Sequence, residues 1–525
     1  MEETQRLMER FAAARARRAP WEQVWRDCYD FVLPQGGPGR SGTGGGTGGG
    51  TGGGPAGGAG ERVFDGTAAD AADQLSASLL SQLTPPWSRW FGLAPGPDLG
   101  ERERASFGPL LERATRTVQA HFDRSNFAVE IHQCYLDLVT AGTACLLFEE
   151  AAPGEPSCFR FTAVPVFEVA FEEGAEGRLD TTFRRSEMTL AQIRRRFPAI
   201  DLPGEVTAAG ERDGQSRFGI VEAVLPDGPA WRYSVVLDWG GAPALLAGGR
   251  FSRTPFLNFR WLKAPGEIYG RSPVMKALPD IRTANKVVEL VLKNASIAVT
   301  GIWQADDDGV LNPASVRLVP GTVIPKAVGS SGLTPLAAPG RFDVSQLVLD
   351  DLRSRIRHAL LSDRLAPVQD ARMTATEVIE RSAEMARLLG ATYGRLQSEL
   401  LTPLVLRGAA ILRRRGEIPD IAIDGRLVEL QYRAPLAQAQ AQRDVQAVMR
   451  WMETLAALGA DALDTVDQPA AARWLGRSFG VPAELIREPP PGEPAAPPDP
   501  VSDPAPDPAP GPAPDPALNL QGVIP

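Results

Sequence analysis

Between Tyr269 and Gly301 the apolar residues fall into one regular stripe. Leu278, Ile281, Asn285, Val288, Leu292, Ala295 and Val299 are spaced alternately by three and four, which draws a continuous line along a helix. Roughly 25 residues of helix would run for about 37 Å. Tyr269-Gly270-Arg271-Ser272-Pro273 precedes the stripe as a turn, and Pro279 falls early in the helix, where a missing N–H is tolerated. Such a stripe suits a buried core helix, and it also suits a helix that packs beside copies of itself. Asn285 inclines toward the second, because a polar residue in a helical seam sets register.

Other stretches show the same kind of periodicity. Residues 2–18 read as a helix rich in Arg and Ala. Pro20 is expected to start a second, with Trp21, Val24, Trp25 and Cys28 on one face until Pro34. Thr67 with Asp70 marks a helix start, and Leu75, Leu79, Leu80 and Leu83 form its apolar face up to Pro85-Pro86. Trp87, Trp90 and Phe91 then read as a packed aromatic cluster. Helices follow at about 105–124 and 128–141. From 144 to 262 the pattern changes to short β-like runs between turns, with one helix near 189–197. Residues 302–343 are rich in Gly, Pro, Asp and β-branched residues, which predicts short strands and loops.

Helix returns at about 343–361, with Leu349, Leu352, Ile356 and Leu360 in register. After a loop holding Pro367, Thr374-Ala375-Thr376-Glu377 forms a capping box for a long helix that Pro403 kinks without ending. Ile418 to Arg433 reads as strand and turn, and helices at 437–458 and in a smaller pair reach Arg487. The fold class is α+β, mainly helical.

Composition adds two segments outside this pattern. Residues 36–60 are almost wholly Gly, Thr, Pro and Ala, too little apolar surface to offset the entropy of ordering, so a flexible loop is expected. Residues 488–525 repeat Pro-Ala and Asp-Pro units and read as an extended acidic tail. The 525-residue chain carries a net charge of −9, which excludes a protein that coats nucleic acid with its whole surface. Cys28, Cys134, Cys145 and Cys158 fit no zinc spacing and are expected as free thiols of a reducing compartment. No apolar run is long enough to span a bilayer and no signal peptide is recognised, so no membrane partner is expected and synthesis in a cytoplasm is.

The motifs that suggest chemistry lack the context that chemistry needs. Gly476-Arg477-Ser478-Phe479-Gly480 matches a nucleophile elbow, but a helix-like run precedes it and all three histidines lie upstream, so Gly476 and Gly480 read as helix C-caps. Asp306-Asp307-Asp308-Gly309 lacks the alternating spacing of a calcium loop. His121, His132 and His358 show no ligand spacing. The Gly-rich stretch lacks the Lys-Ser/Thr of a phosphate loop. Arg194-Arg195-Arg196 and Arg413-Arg414-Arg415 are expected to meet carbonyls at helix ends. No enzyme constellation and no cofactor site emerges.

The local pieces together resemble the head-to-tail connector (portal) proteins of short-tailed bacteriophages. The likeness rests on Arg18-Ala19-Pro20-Trp21-Glu22 through Asp27-Cys28-Tyr29, Arg62-Val63-Phe64-Asp65-Gly66-Thr67, Leu83-Thr84-Pro85-Pro86 and Ser125-Asn126-Phe127. It continues with Gly142-Thr143-Ala144, Tyr269-Gly270-Arg271-Ser272-Pro273, Met373-Thr374-Ala375-Thr376-Glu377-Val378 and Gly480-Val481-Pro482. It covers about residues 1–487, with the Gly-rich loop and Pro-rich tail outside it.

The resemblance implies a ring, usually of twelve copies, at one capsid vertex. A separate terminase would package double-stranded DNA through it, and a tail would dock on it. Further implied partners are the major capsid and scaffolding proteins and a tail adaptor. It implies a wing at 1–265, a stem helix within 266–301, a clip at 302–343 and a returning stem helix at 344–361. A channel loop at 362–373, a kinked helix and wing return at 374–435 and a crown at 436–487 complete it. Leu278, Ile281, Asn285, Val288, Leu292, Leu349, Leu352 and Ile356 would pack the stem, and Arg364, Gln369 and Arg372 would meet DNA. The sequence reading agrees in outline, since two long helices bracket a β-rich excursion. The alternatives are a monomeric cytosolic enzyme with an unrecognised site, and a neck adaptor ring that is not a portal.

Overall fold

The computed structural model describes residues 2–34, 63–86, 88–198, 200–240, 243–300, 303–305, 333–335, 342–365, 390–420, 423–433, 435–459 and 465–478. The expected Gly-rich loop, the Asp306–Asp308 run, most of the 302–343 excursion, Trp87, the capping box at Thr374 and the Pro-rich tail lie outside the described residues.

The first helix, α1 (Glu2–Val32), runs through Pro20 without a break, where two helices were expected. Packing on both sides of the proline explains the difference. Leu7, Phe11 and Ala14 sit against Phe183, Val221 and Val236, while Trp25 and Tyr29 sit among Val166, Phe171 and Tyr269. Burial on that scale offsets the roughly 3 kcal/mol that an interior proline costs.

Helix α2 (Thr67–Leu83) begins at Thr67 as expected, but the oxygen that accepts its N–H belongs to Asp65, 3.0 Å away. Helices α3 (Glu101–Arg124) and α4 (Phe127–Ala141) flank an aromatic cluster. In it Trp90 meets Phe91, Phe122 and Phe127, joined by Phe148, Phe159 and Phe161. The sequence places Phe91 in an aromatic cluster only. In the structure it also opens strand β1 (Phe91–Pro95), paired antiparallel with a strand at Val428–Tyr432 from near the far end of the chain.

The β-rich stretch folds as two antiparallel sheets. Strands β2 (Thr143–Glu150), β3 (Phe159–Val164) and β9 (Phe256–Arg260) form one, in the order β3-β2-β9. Strands β4 (Val169–Glu173), β5 (Leu179–Thr189), β6 (Arg217–Asp227), β7 (Ala230–Asp238) and β8 (Ala244–Phe251) form the other in sequence order. Short helices α5 (Leu190–Arg196) and α6 (Gly204–Arg212) cross between β5 and β6. The basic triplet ending α5, expected at helix carbonyls, meets carboxylates instead. Arg196 pairs with Glu149 at 3.2 Å and Glu222 at 3.0 Å, because the sheets bring those carboxylates to it.

Helix α7 (Pro273–Thr300) is followed by β10 (Trp303–Ala305) and β11 (Leu333–Pro335), which pair antiparallel before α8 (Phe342–Ala359) and the single turn α9 (Ser362–Leu365). Helix α10 (Gly390–Leu396) widens into a π turn (Gln397–Leu401) and continues as α11 (Thr402–Arg414). Pro403 sits in the first turn of α11, so its missing N–H falls where the ladder has already loosened. The second basic triplet also meets carboxylates: Arg413 pairs with Asp420 at 3.2 Å, and Arg414 and Arg415 pair with Glu150. Strand β12 (Val428–Tyr432) and helices α12 (Pro435–Leu458) and α13 (Gln468–Ser478) finish the described chain. Gly476 lies inside α13 rather than capping it; Gly480 is outside the described residues.

One core joins α2, α4, β2, α7, α8 and α11. All four cysteines are free and buried. Among the described residues no helix is long and apolar enough to cross a membrane.

Candidate functional site: the paired long helices

Two glycines place the root of α7. Gly142 ends α4 at φ 77°, a left-handed conformation that a side chain resists, and a Cβ there would stand 2.4 Å from the carbonyl oxygen of Gly270. A Cβ on Gly270 would stand 2.1 Å from the Gly142 oxygen. The two backbones therefore touch only because both residues lack side chains. Thr143 Oγ1 accepts the Gly270 N–H at 2.8 Å, and Tyr269 is buried against Trp25.

Ser272 completes the root. Its hydroxyl donates to the Thr140 carbonyl at 2.9 Å and accepts the Met275 N–H at 2.8 Å, which satisfies a donor of the first helical turn. Pro273 is the first helical residue, where its fixed φ suits the helix.

From this root α7 and α8 lie side by side. Asp280 bonds Arg355 at 2.9 Å. Further along α7, Asn285 Oδ1 accepts the backbone N–H groups of Phe64 at 2.6 Å and Asp65 at 3.2 Å. Asp65 in turn accepts from Arg353 at 2.8 Å, on the N-terminal side of Arg355 in α8. Going up one helix is thus going down the other, so the pair is antiparallel. Burial alone would raise the Asp65 pKa, but its bonds to Thr67 and Arg353 outweigh that and hold the carboxyl below its ordinary range.

The two halves of the pair differ in burial. Leu278 and Ile281 on α7 are buried with Leu349, Leu352 and Ile356 on α8 in the subunit's own core. Asn285 and Val288 are half-buried, and Asn285 is used by the 63–65 segment of the same chain. Beyond them apolar residues stand in solvent: Leu290 and Leu292 on α7 are 49% and 52% exposed, and Leu347 on α8 is 74% exposed. In an antiparallel pair these positions share one end, toward the C-terminus of α7 and the N-terminus of α8.

Arg364 lies on α9, just beyond α8, but its side chain is outside the described residues, as are Gln369 and Arg372 entirely. Leu361, between α8 and α9, takes φ 59°, a strained value for a leucine. The sequence offered no signal for one further grouping. His121, Cys158 and Glu417 come from three distant segments, and their side chains meet at one place.

A family model described as bacteriophage head to tail connecting protein matches residues 4–486. A probable portal protein of Bordetella phage BPP-1 is 26% identical over 519 residues, covering 92% of this chain and 89% of that protein. A portal protein of Salmonella phage epsilon15 is 25% identical over 518 residues, with the same shares covered. A solved chain from the neck of a native GTA particle, computed with C12 symmetry, is 12% identical and covers 79% of this chain and 91% of that one, with a TM-score of 0.34.

Proposed function

The chain belongs to the bacteriophage head to tail connecting protein family and serves as a phage portal; on that premise we propose that α7 and α8 form the stem by which many copies stand together as a tube wall. The observation that carries this reading is the split burial of the pair. Its root is cemented into the subunit, while Leu290, Leu292 and Leu347 at the other end stand largely exposed and belong to no core cluster among the described residues. Apolar side chains clustered at one exposed end mark a surface that a neighbour buries. A closed ring made by rotation lets one face of each hairpin meet a different face of the next.

In this reading the wing is 1–265, the clip 302–343, the channel loop 362–373, the kinked helix and wing return 374–435 and the crown 436–487. The ring holds twelve copies at a capsid vertex of the virion, after synthesis in the host cytoplasm. Double-stranded DNA passes through it, driven in by a separate terminase and later ejected. Major capsid and scaffolding proteins and a tail adaptor meet its outside. Arg364, Gln369 and Arg372 face the duplex. The role is that of a conduit and docking platform, not an enzyme. A strongly basic lining would hold phosphates and brake the duplex. Twelve copies of a chain at −9 would instead total about −108 before counterions.

The test is mass measurement and negative-stain imaging of the purified full chain. Rings of several hundred kilodaltons with a central hole are expected. A 56.2 kDa monomer under all assembly conditions would overturn the stem assignment. For the channel loop, Arg364→Ala with Arg372→Ala is expected to change DNA retention or packaged length, and unchanged values for both would remove these residues from the channel.

A further inference from the structure

We infer that the cavity between β2, the β8–β9 connection and α11 binds a small organic anion, whose carboxylate or phosphate oxygens seat on Arg407 with Arg253 at the rim. The cavity measures about 290 Å3. That is close to the small end of the roughly 300–1,000 Å3 range of ligand pockets. Leu147, Phe197, Phe256 and Ile411 give it an apolar wall, so it suits a ligand with an apolar body and one charged end.

Arg407 lines this cavity and is only 6% exposed, yet its bonds go to backbone alone. Nε donates to the Phe148 carbonyl at 2.8 Å, and Nη1 donates to the Arg253 carbonyl. The guanidinium lies 5.5 Å from the centre of the Phe148 ring and 5.2 Å from that of Phe251. Among the described residues Nη2 bonds nothing, and no carboxylate forms an ion pair with Arg407. The three acidic side chains of the cavity are engaged by other arginines. Glu149 and Glu222 pair with Arg196 at 3.2 and 3.0 Å, and Glu150 pairs with Arg414 and, at 3.2 Å, with Arg415. Burial and the nearby Arg414 push the Arg407 guanidinium down to about 10, and Glu149 and Glu150 oppose this only in part. Carbonyls and ring faces offset only some of what a cation loses on leaving water, so the site lacks a counter-charge.

Arg253 adds a second cation. It is exposed where it lines the cavity, and among the described residues no ion pair holds its side chain. An oxyanion entering past Arg253 meets the open Nη2 of Arg407, where charge-assisted N–H···O bonds are stronger than neutral ones. Carboxylate and phosphate share this chemistry. They differ in charge, and the second charge of a phosphate monoester is the one that Arg253 reads. All of these residues belong to one chain, so the site is present in a single subunit whether or not rings form.

The probes are phenyl phosphate and benzoate, titrated by calorimetry into the full chain in a buffer free of other oxyanions. Saturable binding of one equivalent per chain, with a Kd of about 1 mM or tighter, is expected for at least one of them. Ala410→Phe fills the cavity from α11 without changing any charge and should abolish that binding. Arg407→Met should abolish it too. Arg253→Ala should weaken phenyl phosphate at least about fivefold and benzoate less. Thermal melts show whether each variant folds, and if Arg407→Met does not, Ala410→Phe carries the test. Absence of saturable binding of both probes to the wild-type chain overturns the proposal, and so does binding that survives unchanged in folded Ala410→Phe or Arg407→Met. Unchanged phenyl phosphate affinity in Arg253→Ala removes Arg253 from the site.

Discussion

Glu399 closes on the guanidinium of Arg260 at 2.7 Å, joining the π turn before α11 to strand β9. Arg260 is fully buried, and it also bonds Glu173 at 3.1 Å and the carbonyls of Ile268 and Gly177. Burial would lower its pKa, yet the two carboxylates outweigh that and raise it. Removing Glu399 strips this buried charge of most of its compensation and leaves it the single carboxylate of Glu173. Glu399→Leu is expected to cost about 3–5 kcal/mol in denaturant unfolding. The double variant Arg260→Met with Glu399→Leu should recover part of that loss, because Lys263 still pairs with Glu173. A double variant no more stable than Glu399→Leu would mean that Arg260 acts chiefly through its carbonyl bonds.

Leu292→Glu and Leu347→Glu should separate folding from assembly. Both residues are exposed in the subunit, so the unfolding midpoint of a monomeric form should change little. A leucine buried at a subunit contact is worth about 1.5–3 kcal/mol, and a ring repeats that contact at every interface. The expected outcome is folded subunits with rings lost or much reduced, read by mass and imaging. Rings of undiminished yield would place the contact elsewhere.

Asp137 gives a pH signature. Burial pushes its carboxyl up to about 7, against the opposing bond donated by the Tyr29 hydroxyl at 2.7 Å. The folded chain thus keeps a proton that the unfolded chain releases near 3.8. This contribution to stability is fully present below that value and declines as pH rises to about 7, at about 1.4 kcal/mol per unit. Asp137→Asn keeps the acceptor for Tyr29 and cannot ionise. Unfolding free energies from pH 4 to 8 should show the variant gaining on the wild type steadily up to about pH 7 and then running parallel. A constant difference would show that Asp137 does not titrate in that window.

Gly142→Ala should destabilise by well over the 1–2 kcal/mol of a left-handed residue, because the added Cβ also meets the Gly270 oxygen. Gly66→Ala is the control, since its Cβ would meet nothing within 4 Å. Thermal melts of the two should differ by several degrees, and equal melts would show that the root of α7 can shift to make room.

Asn285 shows how far the sequence could be read. Its place in a seven-residue stripe is local information, and the helix followed. Its partners, the backbone of Phe64 and Asp65, lie more than two hundred residues away and left no trace in the spacing. Pro20 shows the opposite error, where a strong local signal was overridden by packing on both sides of it.

Local spacing was enough to place the long helices α7 and α8 and the run of short strands between residues 144 and 262. Periodicity encodes these because a helix or strand chooses its exposed face within a few residues. Which half of the α7–α8 pair lies inside the subunit and which half remains apolar and exposed follows from the folded chain. It alone brought Glu399 to Arg260, and His121 to Cys158 and Glu417. Those meetings depend on the path of the whole chain, since a charge or a thiol carries no mark of the distant residue that will stand beside it.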